Sequence, residues 1–265
     1  MHLPNEIKKH VSGMKVDQNE VGYSSANVYR FYDENNSYFL KINDANDEFK
    51  REVDLLDWLE GKLPVPKIIC RHEEKNKAYL LMAEIQGHMC CVVSDDDSDT
   101  IREPHGETIK RLAEGLLKLQ AVDITHCPFD STLNHKLKQS LYNIENNLVD
   151  VDGWEDFNKF KSPMELYDWL VANKPQEDLC FTHGDYCLPN IFINDTCVTG
   201  FIDMGHGGVA DKYQDIALCV RSIAHNAENL EQVEIDKFNE LLFSHLGITP
   251  DWDKIHYYIL LDDLF

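Results

Sequence analysis

The sequence is poor in positive charge. Its 25 lysines and arginines face 47 aspartates and glutamates, a formal net charge of −22. Such a chain repels polyanions, so nucleic acid and anionic membrane surfaces are excluded as partners, while a cationic ligand would be drawn in. The same acidity also serves plain solubility, and the run Asp95-Asp96-Asp97-Ser98-Asp99 reads as a solvated loop. No apolar run approaches the roughly 18–20 residues that cross a bilayer. Met1–His10 is polar and lacks the apolar stretch of a secretion signal. A soluble, cytoplasmic protein is expected. None of the eight cysteines stands in a C-x-x-C pair or at a zinc-ligand spacing, so reduced thiols are expected. There is no G-x-G-x-x-G, no P-loop, no internal repeat and no low-complexity tract.

What is present is enough chain for one large domain or two lobes: 265 residues, 43% of them hydrophobic. Residues 1–85 read as a strand-rich lobe. Val28–Asp33 and Ser37–Asn43 are strand-like around the turn Glu34-Asn35-Asn36, and Ala78–Ala83 is another strand. A helix is expected over Ala45–Glu60, stopped by Gly61, Pro64 and Pro66. Residues 86–265 read as mainly helical. Glu107–Ala121 has helical apolar spacing, and Ser162-Pro163-Met164-Glu165 is a capping box opening a helix to about Asn173. Further helices are expected near Tyr213–His225, Glu228–Leu246 and Trp252–Leu264.

One hairpin stands within the helical part. Ile191–Asn194 is a short strand, Asn194-Asp195-Thr196 a turn, and Cys197–Ile202 a returning strand. That register sets Asn190 beside Asp203, with Asp185 on the loop feeding the hairpin. A carboxylate placed to accept a hydroxyl proton and two oxygen ligands for magnesium are what phosphoryl transfer to an alcohol needs. Asp185 takes the first role, Asn190 and Asp203 the second. His183 reads as a packed loop residue, Asp215 as a brace for that loop, and Asp211 as a simple helix cap. His206 faces either substrate or solvent.

The alternation in Ser37–Asn43 puts Tyr38, Leu40 and Ile42 on one face and Phe39 with Lys41 on the other. An aromatic ring and an ammonium two residues apart suit a base and its phosphates. On the next helix the apolar stripe is Phe49, Val53, Leu56 and Leu59, with Glu52 at its edge. A carboxylate so placed needs a cation, and Lys41 is the partner expected; Arg51 is a nearer rival in sequence but points away from the stripe. Gly22-Tyr23-Ser24-Ser25-Ala26-Asn27 reads equally as a phosphate-covering loop or a plain turn.

Taken together, HGDxxxxN…IDxG, the Lys41/Glu52 pair and Ala210-Asp211-Lys212-Tyr213-Gln214-Asp215-Ile216-Ala217 resemble the aminoglycoside phosphotransferase family, and within it the 3′-phosphotransferases. Trp58–Lys67 and Tyr257–Phe265 add to the likeness, which runs from about Val21 to Phe265. Many members carry arginine where His206 stands. The resemblance implies an α+β, protein-kinase-like fold with a strand-rich N-terminal and a mainly helical C-terminal lobe. It implies ATP (or GTP) and Mg2+, with Asp185 as base and Asn190 and Asp203 as metal ligands. Lys41 and Glu52 then position phosphate, Phe39 stacks on adenine, the backbone of Ala83 and Ile85 reads its edge, and Tyr23-Ser24-Ser25 covers the phosphates. The acceptor implied is an aminoglycoside, phosphorylated at its 3′-hydroxyl with antibiotic resistance as the outcome. It would be held by Asp152, Glu155, Asp156, His206, Asp263 and the Phe265 carboxylate, on a monomer or weak dimer. The alternatives are the same fold acting on choline, a sugar or a macrolide, a non-catalytic kinase-like binding protein, and a metal-dependent hydrolase built on His183, Asp185 and Asp203.

Overall fold

A computed structural model describes residues 3–19, 27–91, 105–152, 154, 159–227 and 230–265. From the N-terminus come α1 (Asn5–Val11), β1 (Lys15–Asn19), β2 (Asn27–Tyr32), β3 (Ser37–Asp44), α2 (Asp47–Leu59), β4 (Ile68–Glu74), β5 (Lys77–Ala83) and β6 (His88–Met89). Then follow α3 (Gly106–Gln120), α4 (Leu133–Glu145), α5 (Pro163–Ala172), β7 (Leu179–Thr182), β8 (Ile191–Ile193), β9 (Val198–Phe201) and β10 (Gly208–Asp211). The chain ends with α6 (Lys212–Asn226), α7 (Gln232–Leu246) and α8 (Trp252–Asp262). The fold is α+β. The chain divides into two compact units, Met1–Arg102 with Asn190–Gly205, and Glu103–Pro189 with His206–Phe265. The β8–β9 hairpin therefore belongs to the first unit.

In the first unit the strands form an antiparallel sheet in the order β1-β2-β3-β5-β4. Local chemistry sets its turns. The Asp33 carboxylate accepts the N–H groups of Asn35 and Asn36 at 2.8 Å each, closing β2 onto β3. Lys75 and Asn76 both take positive φ, 51° and 65°, the backbone that matches a two-residue hairpin to strand twist. Leu40 and Leu81, from β3 and β5, are fully buried on one face of the sheet against Leu3, Ile7 and Val11 of the α1 region. Helix α2 begins where Asn46 Oδ1 accepts the Phe49 N–H at 2.9 Å and ends before Gly61, whose φ is 77°.

The hairpin is set by Asn194, whose side-chain oxygen accepts from the N–H groups of Thr196 and Cys197, 2.9 Å each. It joins β6 in a small sheet of order β6-β8-β9. Gly200 lets Ile85 lie against it: a Cβ there would meet Ile85 Cδ1 at 2.4 Å.

In the second unit α6 is the buried helix, with Ile216, Ala217, Cys219 and Ile223 fully covered. β10 pairs antiparallel with β7 and runs directly into α6. Asp211, completely buried, does more than cap that helix. One of its oxygens accepts the Tyr213 N–H at 3.1 Å, and the other takes Lys254 Nζ at 2.7 Å and the Tyr258 hydroxyl at 3.1 Å. The α5 capping box forms as expected at its serine, Ser162 Oγ accepting the Glu165 N–H at 3.2 Å. No helix among the described residues is long and apolar enough to cross a membrane.

Leu40→Ala should remove about 2–5 kcal/mol of stability through the cavity it leaves. Urea denaturation should show a lower midpoint with an unchanged slope.

Candidate active site

The first unit gathers three charged groups, two from the neighbouring β3 and α2 and one from far along the chain. β3 carries Lys41 on the face opposite Leu40. Its Nζ lies 2.9 and 3.0 Å from the two oxygens of Glu52 on α2, and 3.0 Å from Asp203 Oδ1. Glu52 is buried, as an acid can be only when paired. Burial works against the charge on Lys41, but the Glu52 and Asp203 carboxylates outweigh it and hold the ammonium well above the ordinary lysine range. Burial likewise pushes the Glu52 carboxyl up, against the pull of Lys41. With two carboxylates on one lysine, the lysine is the group whose charged form the geometry fixes.

Asp203 reaches Lys41 because the chain turns sharply after β9. Its φ is 53°, in the left-handed region that aspartate tolerates better than most side chains. Just before it, the Ile202 N–H donates to the Asn190 carbonyl at 3.0 Å, closing the base of the hairpin. Asn190 and Asp203 are thus brought to the same end of the hairpin. The two side chains offer hard oxygen donors of the kind magnesium takes. Among the described residues no group of three or more His, Cys, Asp and Glu side chains could hold a metal. A site with two protein oxygens, completed by substrate phosphates and water, is the usual way Mg2+ is held, so the residues fit that ion.

Beside the triad is an apolar pocket of the first unit. It is lined by Val28, Phe39, Leu56, Pro66, Met82, Ala83, Ile85, Met89, Phe192 and Ile202, with Lys41, Glu52 and Asp203 as one charged group and Glu84, paired with Arg30, also on its wall. Phe39, Ala83 and Ile85, expected from the sequence, all line it. The Ala83 N–H is already bonded to the Lys67 carbonyl at 2.9 Å. Leu56, read in the sequence only as part of the α2 stripe, also lines the pocket, and Val28, Met82, Met89, Phe192 and Ile202 were given no place in a site from the sequence. Alternation along Ile191-Phe192-Ile193 was the available signal for Phe192, which is turned away from its two buried neighbours. Arg51, passed over as a partner of Glu52, donates its Nε–H to the Gly205 carbonyl at 3.1 Å.

Asp185 lies in the second unit, on the loop after β7, and is partly exposed. The loop is held from below. Asp215, on the first turn of α6, accepts the His183 N–H at 2.7 Å and the Gly184 N–H at 2.9 Å, one on each oxygen. His183 is fully buried, and its Nδ1 lies 3.3 Å from the Asp185 N–H, which donates to it. Gly184 has a φ of 85°, and a Cβ there would meet the His206 carbonyl oxygen at 2.3 Å, so only glycine fits. Tyr186 is fully buried with its hydroxyl on the Leu112 carbonyl at 2.7 Å, and Ser222 of α6 accepts the Leu188 N–H at 3.0 Å.

The residues expected to hold an acceptor lie on several segments of this unit. Asp152, His206 and Phe265 are exposed and Asp263 is half-buried. The ring of Phe265 has Lys136 Nζ 4.3 Å from its centre. Burial pushes the Asp263 carboxyl up to about 6, opposed by Arg221. Tyr23, Ser24, Ser25, Glu155 and Asp156 lie outside the described residues.

A family model described as "Phosphotransferase enzyme family" matches residues 15–258. The chain belongs to this family. An aminoglycoside 3′-phosphotransferase of Enterococcus faecalis is 40% identical over 272 aligned positions, covering 100% of this chain and 99% of the relative. Another from Staphylococcus aureus is 39% identical with the same coverage. The crystal structure of an aminoglycoside-3′-phosphotransferase of type VIII superposes with a TM-score of 0.82 at 28% identity, covering 98% of this chain and 96% of that one. The phosphotransferase thus has the kinase-like α+β fold of these enzymes.

In the phosphotransferase, burial pushes the Asp215 carboxyl up to about 7, against the His183 and Gly184 N–H groups that favour its anion. The folded state therefore keeps this proton to higher pH than the unfolded chain does. The stability it contributes is complete below about pH 4 and is lost as pH rises to about 7, on the order of 1 kcal/mol per pH unit. Urea unfolding between pH 4 and 7 should show this extra decline in the wild type and not in Asp215→Asn, which has nothing to titrate there.

Proposed function

We propose that this phosphotransferase moves the terminal phosphoryl group of ATP (or GTP) to the 3′-hydroxyl of an aminoglycoside antibiotic. The observation that carries the reading is Lys41, fixed between Glu52 and Asp203 on the wall of an apolar pocket. An apolar slot bearing an ammonium and a metal-binding carboxylate is suited to a purine followed by its phosphates. The likeness to aminoglycoside 3′-phosphotransferases over the whole chain supports the acceptor.

On this reading Phe39 stacks on the base. Because the Ala83 N–H is taken, Ala83 offers its carbonyl to the base edge and Ile85 its N–H. Lys41, held by Glu52, binds the phosphates, and Tyr23-Ser24-Ser25 cover them. Asn190 and Asp203 would hold Mg2+, which when bound neutralises phosphate charge. Asp185 accepts the proton of the acceptor hydroxyl as its oxygen bonds to the γ-phosphorus; the bond from phosphorus to the β–γ bridging oxygen breaks and ADP leaves. Asp185 and Asn190 are five residues apart, so chain length alone keeps them within about 18 Å. His183 and Asp215 hold the loop. The nucleotide lobe expected over residues 1–85 extends to Arg102 and takes in Asn190–Gly205, because the β8–β9 hairpin packs with the first unit; the remainder of 86–265 is the catalytic lobe.

The acceptor is a polycation, which needs several carboxylates at once. Asp152, Glu155, Asp156, Asp263 and the Phe265 carboxylate are assigned to it, with His206 beside them. The net charge of −22 favours its approach. The product carries a dianion where the drug needs cationic and neutral surface to bind RNA, which accounts for resistance. Eight free thiols and the use of ATP suit the cytoplasm.

Coupled ADP release over a panel of aminoglycosides, choline, simple sugars and macrolides tests the assignment. Turnover is expected with kanamycin- and neomycin-type drugs and none with a matched drug lacking the 3′-hydroxyl. Turnover confined to choline, sugars or macrolides would overturn it. Asp185→Ala should lower kcat by about 10²–10⁴-fold while ADP still binds, and Lys41→Ala should raise the nucleotide KM as well as lower kcat.

A further inference from the structure

We propose that Arg51 is a positioning residue that holds the Asp203 turn in place; the proposal rests on the reading of Asp203 as a metal ligand. The turn has a problem to solve. Asp203 takes a φ of 53° and half its side chain faces solvent, so neither backbone preference nor packing keeps its carboxylate where a metal needs it. Its bond to Lys41 does not suffice, because phosphates would compete for the same ammonium.

Helix α2 supplies a second hold. Arg51 and Glu52 are adjacent on it and act on the turn by different routes. Glu52 acts through a side chain, by way of Lys41 to the Asp203 carboxylate. Arg51 acts through the backbone, its Nε–H reaching the carbonyl of Gly205, two residues beyond Asp203. Gly205 lies close against the same helix, with a Cβ position 3.7 Å from Glu52 Cβ. The bond to Gly205 does not use the groups that bind phosphate or metal, so it persists when they are engaged. A guanidinium suits the task, since its Nε–H has a fixed direction that a lysine ammonium lacks. α2, capped by Asn46 and packed by Phe49, Val53 and Leu56, is a rigid support for both.

The test is ADP binding by calorimetry with and without Mg2+, together with amide hydrogen exchange of the ligand-free protein. In Arg51→Met, exchange across Asp203–Gly205 should quicken about tenfold while β2 and β3 stay unchanged. The gain in ADP affinity on adding Mg2+ should shrink about tenfold, with metal-free ADP binding within twofold of wild type. Arg51→Lys should restore part of both. Asp203→Asn separates the two readings. If Asp203→Asn keeps the full Mg2+ gain, the metal-ligand assignment fails. If Asp203→Asn loses the gain but Arg51→Met keeps it, with unaltered exchange at 203–205, the positioning role fails. Should Arg51→Met not fold, Arg51→Lys carries the same comparison, and wild-type exchange and wild-type Mg2+ dependence in it would overturn the proposal.

Discussion

A lysine held between two carboxylates constrains the whole first unit. Glu52 can be buried only because Lys41 reaches it, and Lys41 can lose most of its water only because it has two anionic partners. The three groups come from β3, α2 and the turn after β9, so sheet, helix and hairpin must all arrive in register for the triad to close. The two carboxylates are not equivalent. The side chain of Glu52 is 8% exposed and that of Asp203 is 49% exposed, while Lys41 is 13% exposed. An incoming phosphate can displace the solvated partner far more cheaply than the dry one. Glu52 is therefore the fixed anchor and Asp203 the exchangeable one. That asymmetry makes Asp203 the carboxylate that Lys41 gives up more readily.

The second unit solves a related problem with the backbone in place of a cation. Asp215 has no solvent to share its charge, and it is satisfied by the two N–H groups of the loop it supports. The carboxylate that is costly to bury is thereby the one that fixes Gly184, where no other residue fits, and through it the path of the chain to Asp185. Asp211, four residues earlier, ties the same helix start to α8 through Lys254 and Tyr258. The N-terminus of α6 is thus braced on both sides, and the loop hangs from its strongest point.

Where a feature had a local chemical cause, it was legible in the sequence. Asn194 makes its own turn, Ser162 caps its helix, and alternation in Ser37–Asn43 separates the Leu40 face from the Lys41 face; the cap at Asn46 was not read, the helix being expected from Ala45. Features caused by distant partners were not legible. β4 is an edge strand whose Arg71-His72-Glu73-Glu74 carries no apolar alternation; its pairing with β5 decides it. α1 is a single short helix whose Ile7 matters only because the sheet presents Leu40 and Leu81 to it. α4 buries Lys136 and Ser140, polar residues that blur its apolar stripe. The turn at Asp203 looks like ordinary strand exit in one dimension. Its left-handed backbone, and the arginine that meets it 154 positions earlier, exist only once the hairpin has joined the first unit.

The acidity of the chain follows a division of labour. Among the described residues Glu52, Asp211 and Asp215 are the acids that are buried, and each has a named partner holding it. The other described acids are wholly or partly exposed. A field built from many exposed carboxylates acts at a distance of about a Debye length, roughly 8–10 Å in physiological salt, and does not depend on any one of them. The buried acids hold local geometry through their partners; exposed acids other than Asp185 and Asp203 contribute mainly to the field a cation meets. The surface field can therefore be retuned without disturbing Glu52, Asp211 and Asp215, which are held by partners inside the fold.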